Sequence, residues 1–263
     1  MPQKTIKKPI EFKGIGILLG KESKIILQPA PPNTGIIFNQ NIPSKVANAF
    51  FFQRTLGLKN GQRKIFFTEH LLAACYGLGI NNLKVLVVGN EIPLGDGSAL
   101  PFVRLINRAG IQDHPIPAKI YRLRTPTIVR LKDSFILALP AKMLTINCFV
   151  DFPLPSVGAQ FWGNTLNLAN FIKELAPART FGQYRDKKFL NEFLPFKLYT
   201  QHGIILPKVF RYKNEMVRHK VLDLLGQLAL LAGRLNAEIF AYKPSHQLNQ
   251  QFVKRLEKIY ESS

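Results

Sequence analysis

His219 and Asp223 stand four residues apart within NEMVRHKVLDLLGQLALLAG, residues 214–233. On a helix that spacing places an imidazole and a carboxylate one above the other on one face. Both groups suit a divalent ion such as zinc. Lys220 adds an ammonium beside the histidine, and Gly226 leaves room below the aspartate for backbone or substrate to approach. A pair of this kind also occurs as a buried His–Asp hydrogen bond, so the metal reading needs a third ligand. His70 offers one, at the start of the helical stretch EHLLAAC (69–75). If the two helices face each other, His70, His219 and Asp223 give three protein ligands and an open position, the arrangement of a catalytic zinc site. Glu69 lies next to a ligand without being one, where a base could take a proton from water. An acid in a first turn also favours the helix dipole, which leaves that role open on spacing alone.

The elements that must hold these residues follow from pattern. Strands fit residues 11–19 and 24–28, joined by the turn Gly20-Lys21-Glu22-Ser23, and residues 36–38 after a Pro-rich loop. Asn60-Gly61 is a hairpin signal before residues 63–67. Thr68 has the position of a side-chain N-cap for the Glu69 helix, with Gly77 and Gly79 as its stop. An apolar strand (82–88), the Gly-rich loop EIPLGDGSA (91–99) and a short helix (100–109) complete the first half. The second half repeats this order: strands at 118–131, 135–139 and 144–151, a helical stretch at 168–175, the His219 helix, a strand at 237–242 and a last helix to about Tyr260. The expected fold is therefore α+β, two similar domains of duplicated strand–helix layers, residues 1–118 and 119–263, with the zinc site between them. A basic, aromatic-rich stretch around 183–213 lies within the second.

Composition sets limits. With 46% hydrophobic and 20% charged residues the chain is globular rather than disordered. No apolar run is long enough to span a bilayer, and residues 1–8 lack the apolar core of a secretion signal. Cys75 and Cys148 sit in apolar runs, which fits two buried thiols in a reducing compartment. A net charge of +20 asks for an acidic partner: nucleic acid, an anionic membrane surface or a phosphorylated substrate. The cations are scattered and no aromatic–basic repeat or recognition motif accompanies them. A nucleic-acid partner is therefore not expected.

Six blocks in order give the chain a resemblance over almost its whole length: PAPPNTGIIF (29–38), TEHLLAACYGLGINN (68–82), EIPLGDGSALPFV (91–103), ARTFG (178–182), VRHKVLDLLG (217–226) and AYKPSH (241–246). It resembles the UDP-3-O-acyl-N-acetylglucosamine deacetylases, zinc amidases of lipid A synthesis. The resemblance implies zinc on His70, His219 and Asp223, with Glu69 as general base. It implies His246 as the acid that protonates the leaving amine, and Thr180 and Lys220 as groups that stabilise the oxyanion and position substrate. Asp151 and Phe152 would contact uracil, Phe181 the sugar and Lys243 the diphosphate. Phe152 and Phe181 also fit ordinary core packing. The resemblance also makes the stretch around 183–213 an insert of the second domain, whose Phe189, Leu190, Phe193, Leu194, Phe196 and Leu198 would line a tunnel for the acyl chain, although a packed cap is equally compatible. A cytoplasmic monomer, with peripheral contact to a membrane, goes with this reading.

The departures bear on function. Gln227 stands where the family usually has aspartate, and a neutral amide supports an imidazolium less well than a carboxylate, so His246 is expected to lose cationic character. Ser245 replaces a glycine, Leu18 a histidine, Leu154-Pro155 a His-Pro pair and Gln201-His202 an Asp-Asn pair. The metal site is intact while the acid, pocket and insert are altered. The alternative to a deacetylase is thus a substrate-shifted or catalytically weakened paralogue on the same fold. His114, in a polar linker, is expected to be solvated.

Overall fold

Alternation of apolar and polar residues builds two principal sheets in the computed structural model, which describes residues 1–53, 55–153, 157–182, 198–201 and 204–261. The first sheet runs Ile10–Ile15, Glu22–Gln28, Leu83–Val88, Ile36–Phe38, Ile42–Pro43. All neighbours are antiparallel except Leu83–Val88 with Ile36–Phe38. The second runs Thr127–Leu131, Ser134–Pro140, Arg234–Tyr242, Thr145–Asp151, Ala159–Thr165, again with one parallel pairing, between its third and fourth members. Both sheets thus follow one order, first, second, fifth, third and fourth strand along the chain. Ile120–Arg122 adds to the second sheet, parallel to the start of Arg234–Tyr242. The fold is mixed α/β.

In each half a helix fills the connection into the central strand: Glu69–Leu78 before Leu83–Val88, and Glu215–Leu228 before Arg234–Tyr242. These two helices pack against each other. The contact is close because position 226 is glycine: a Cβ there would come within 2.4 Å of the Glu69 carbonyl oxygen. Helix Leu100–Ala109 packs on the first sheet and His246–Glu261 on the second. One continuous apolar core links them, including Leu71, Phe102, Leu222, Leu225 and Phe252. Both cysteines are buried within it as free thiols. Among the described residues no helix is long and apolar enough to cross a membrane.

Several local expectations need correction. Thr68 does not cap its helix through the side chain; its hydroxyl donates instead to the Leu56 carbonyl at 3.2 Å. Gly79, at φ 75°, ends that helix, whereas Gly77 lies inside it against the Phe171 ring. The single strand expected at 118–131 is two, separated around Pro126, whose missing N–H cannot join a ladder. The basic start of the chain, Pro2–Ile6, is a strand paired with Ile111–Pro117. His114 lies in that second strand, its Nε2 3.2 Å from the Ala30 carbonyl, and is not a solvated linker residue. Of the expected insert, Leu198–Gln201 and Ile204–Pro207 form an antiparallel hairpin. Phe189, Leu190, Phe193, Leu194, Phe196, Leu154-Pro155 and His202 fall outside the described residues.

Candidate metal centre and cleft

The three residues singled out as ligands converge. His70, His219 and Asp223 are all buried, and one ligand atom of each lies within 4.8 Å of the others. The first comes from the Glu69 helix and the other two from the His219 helix, so the helix crossing at Gly226 is what assembles them. The chain enters the first helix through Phe67, whose φ of 61° is a left-handed conformation rare for a bulky residue and typical of functional sites. The Phe67 ring meets His70 edge-on at 4.7 Å.

The donor set fits a divalent ion. His219 donates its Nδ1–H to the Ala178 carbonyl at 3.1 Å, which leaves the Nε2 lone pair for a metal. That Nε2 lies 3.3 Å from Asp223 Oδ1. Among the described residues His70 Nδ1 and Asp223 Oδ1 are buried without a hydrogen-bond partner, a costly condition that an ion would relieve. The His70 and His219 rings stand edge to face at 4.9 Å. Burial and the neighbouring His219 keep His70 well below the usual histidine range, so the imidazole is neutral, the form a metal can use. Burial alone would raise the Asp223 pKa, but His219, His246 and Lys220 outweigh it and hold the carboxylate ionised.

Around this centre lies a cleft of about 820 Å³ whose walls include Glu69, Thr180, Phe181, Lys220 and His246. Burial pushes the Glu69 carboxyl well above its usual range, and the Asp223 charge adds to the shift against backbone donors that oppose it. One of those donors is the Leu56 amide, 3.1 Å from Oε2. Lys220 Nζ sits 3.4 Å from Asp223 Oδ2 and 5.2 Å from the centre of the Phe181 ring. His246 Nε2 lies 3.5 Å from Asp223 Oδ2, and its Nδ1 is 3.1 Å from the Gln227 amide nitrogen. Burial lowers His246 to about 4, against the opposing pull of Asp223. With an amide N–H directed at Nδ1 the imidazole is neutral, and Gln227 Oε1 is left buried without a partner among the described residues.

The aromatic pair Phe152 and Phe181 both lines this cleft and packs together, edge to face at 5.4 Å, beside Leu206 and Met216. Asp151 and Lys243 are not among the cleft's lining residues. They form an ion pair at 3.8 Å, with Asp133 also 3.6 Å from Lys243. Ser245 has a local task, its hydroxyl accepting the Leu248 N–H at the start of the last helix. Leu18, in place of a histidine, gives only its backbone, its N–H and that of Leu19 donating to the Glu91 carboxylate.

Other residues of the site were missed from sequence. Glu215, 1% exposed, receives Arg179 Nε at 2.8 Å, Arg179 Nη2 at 2.9 Å and the backbone N–H groups of Arg179 and Arg211. The Arg211 guanidinium continues to Asp96 at 2.7 Å. Thr180 N–H donates to the Gly97 carbonyl at 2.7 Å. These bonds clamp the ARTFG segment between the Gly-rich loop and the His219 helix, which sets the Ala178 carbonyl against His219. A first-turn acid and an arginine beside Thr180 were visible, but nothing in their spacing paired them. Phe51, Gln53, Thr55 and Gln250 also line the cleft with no signal in the sequence.

A buried His–His–Asp set in a cleft with an acid, an ammonium and a second histidine is the arrangement a metal-dependent hydrolytic centre requires. The family model for UDP-3-O-acyl N-acetylglycosamine deacetylase (LpxC) matches residues 3–258. A UDP-3-O-acyl-N-acetylglucosamine deacetylase of Chlamydia pneumoniae is 35% identical, covering 97% of this chain and 96% of its own. The protein of that name from Pseudomonas entomophila is 34% identical, over 97% and 89%, and that from Sulfurovum sp. 32%, over 97% and 92%. The chain belongs to the UDP-3-O-acyl N-acetylglycosamine deacetylase family.

Proposed function

We propose that the protein is a zinc-dependent deacetylase that hydrolyses the N-acetyl amide of UDP-3-O-acyl-N-acetylglucosamine, a step of lipid A synthesis. The observation that carries this reading is the convergence of His70, His219 and Asp223 at one buried point, with two ligand atoms unpartnered, beneath a cleft lined by Glu69, Lys220 and His246. Zinc held there supplies a Lewis acid for the amide carbonyl and makes nearby water easier to deprotonate. Three ligands of nitrogen and oxygen with an open position suit it.

The chain's own residues do the rest. Glu69 takes the proton from the attacking water; its buried carboxylate is a stronger base than one in solvent. Lys220 and the Thr180 hydroxyl offer donors to the negative charge that grows on the carbonyl oxygen. His246 delivers a proton to the departing amine, which otherwise leaves poorly. The Phe152–Phe181 corner offers an apolar wall for the sugar, and Asp151 and Lys243 serve uracil and diphosphate once their ion pair opens. Two duplicated domains, 1–118 and 119–263, account for the shared strand order and for a site drawn from one helix of each. Chelation tests the reading: removal of metal should abolish acetate release, and zinc should restore it in step with metal content. Activity that persists in fully chelated protein would overturn it.

A further inference from the structure

The outward faces of the two sheets differ in kind. On the first, Glu11, Lys13, Lys24 and Lys84 stand among Ile26, Leu86 and Val88, an ordinary solvated surface with a Lys24–Glu11 ion pair. On the second, cross-strand register places Phe161, Phe149, Tyr242 and Phe135 in one row over four strands, and Arg130 continues it on the fifth. The Phe149 and Tyr242 rings stack at 5.6 Å and 9°, and Phe135 stacks on Tyr242 from the other side at 5.7 Å. The neighbouring row contains Phe240, Leu137 and Ile128. Phe161 is 56% exposed, Ile128 42%, Phe149 38% and Phe240 36%. Solubility gives no reason to set a row of stacked rings in water, and an exposed apolar patch of this kind marks an interaction surface.

Charge selects the partner. Lys243 Nζ lies 5.2 Å over the Tyr242 ring, Arg130 ends the aromatic row, and Lys132 occupies the turn beside it. Three carboxylates lie on or beside the face, and all are engaged: Glu238 by Asn147 at 3.1 Å, and Asp133 and Asp151 by Lys243 at 3.6 and 3.8 Å, which leaves Arg130 and Lys132 as the cations directed outward. The chain as a whole carries +20, so face-to-face docking of a second copy would bring two strongly positive bodies together. Aromatic rings edged by lysine and arginine on a positive protein suit the headgroup layer of an anionic bilayer, where rings enter the interface and cations meet acidic lipid.

We infer that the outer face of the Thr127–Leu131, Ser134–Pro140, Arg234–Tyr242, Thr145–Asp151, Ala159–Thr165 sheet docks the protein on an anionic membrane surface. The inference does not depend on the deacetylase reading, because it is read from binding rather than turnover.

The test is co-sedimentation of the full chain with phosphatidylcholine vesicles, with and without phosphatidylglycerol. The wild type should sediment with the anionic vesicles, and less so as salt rises. The double variant Phe149→Ser/Phe161→Ser should lose at least about tenfold in partitioning, given the apolar area it removes from the interface. Arg130→Glu, which leaves the rings in place, should weaken binding to the anionic vesicles. Both variants should keep the wild-type unfolding temperature within a few degrees and full turnover on a short-acyl, water-soluble substrate. A wild type that stays in the supernatant overturns the inference, as does a double variant that binds as well as the wild type. Concentration-dependent dimerisation that the double variant abolishes would also overturn it, in favour of a second copy.

Discussion

Gln227→Glu tests how the cleft manages its acid. The glutamine amide lies 3.1 Å from His246 Nδ1, and glutamate keeps the side-chain length, so a carboxylate oxygen would take up nearly the same position. At an effective dielectric constant of about 20 the attraction between full charges at that distance is at most about 5 kcal/mol. Desolvation of the new carboxylate offsets much of it, and an opposite charge this close raises a pKa by about 1–3 units in practice. His246, held at about 4 by burial, should then move to about 5–7. At pH 7 its protonated fraction would rise from about one in a thousand to between about one in a hundred and one half. The assay is the pH profile of kcat/KM for acetate release, with wild type, Gln227→Glu and Gln227→Asp side by side. If protonated His246 donates to the leaving amine, the descending limb should shift upward by about 1–3 units in Gln227→Glu, and less in the shorter Gln227→Asp. An unchanged limb, together with an unchanged His246 titration by NMR, would refute the reasoning.

Gly226→Ala should press a methyl into the Glu69 backbone, costing about 1–3 kcal/mol of stability and much of kcat, seen by thermal unfolding and steady-state kinetics. Glu215→Gln removes the carboxylate charge paired with a guanidinium that is 4% exposed, so stability should fall by about 3–5 kcal/mol in denaturant unfolding. Metal affinity should fall as well, by about 10–100-fold in a chelator competition, because Ala178 no longer fixes His219. In metal-free protein His246 takes its proton near 6.5 when unfolded but only near 4 when folded. Below about pH 6.5 the unfolded state therefore binds more protons, and stability should decline by about 3 kcal/mol as pH falls to 4. Thermal unfolding of chelated wild type should show that decline, with a smaller one in His246→Gln.

How much the sequence disclosed depended on whether a signal was local. The His219–Asp223 pair and the Glu69–His70 step declare themselves through helical spacing, and both helices lie where the periodicity puts them. Gly226 was legible as a close-approach site, although only the structure shows that the approaching group is the Glu69 backbone. Thr68 looked like a side-chain cap because its type and place are right, but its hydroxyl goes to Leu56, thirteen residues from the glutamate whose helix it precedes. Pro2–Ile6 carries lysine and glutamine where a strand usually shows alternation, and its partner begins at Ile111, so pairing rather than pattern makes it a strand. The Arg179–Glu215 clamp joins residues 36 apart through bidentate geometry that no spacing encodes. The aromatic row on the second sheet escaped notice because its four rings come from four strands, each with an unremarkable share.

The most direct measurement is release of acetate and free amine from UDP-3-O-acyl-N-acetylglucosamine by zinc-loaded protein, run beside Glu69→Ala with matched metal content. Turnover in the wild type and a loss of at least about a hundredfold in Glu69→Ala is the predicted result, since general-base catalysis contributes about 10²–10⁴-fold. A fully loaded wild type that releases neither product, or a Glu69→Ala variant as fast as the wild type, would contradict the account.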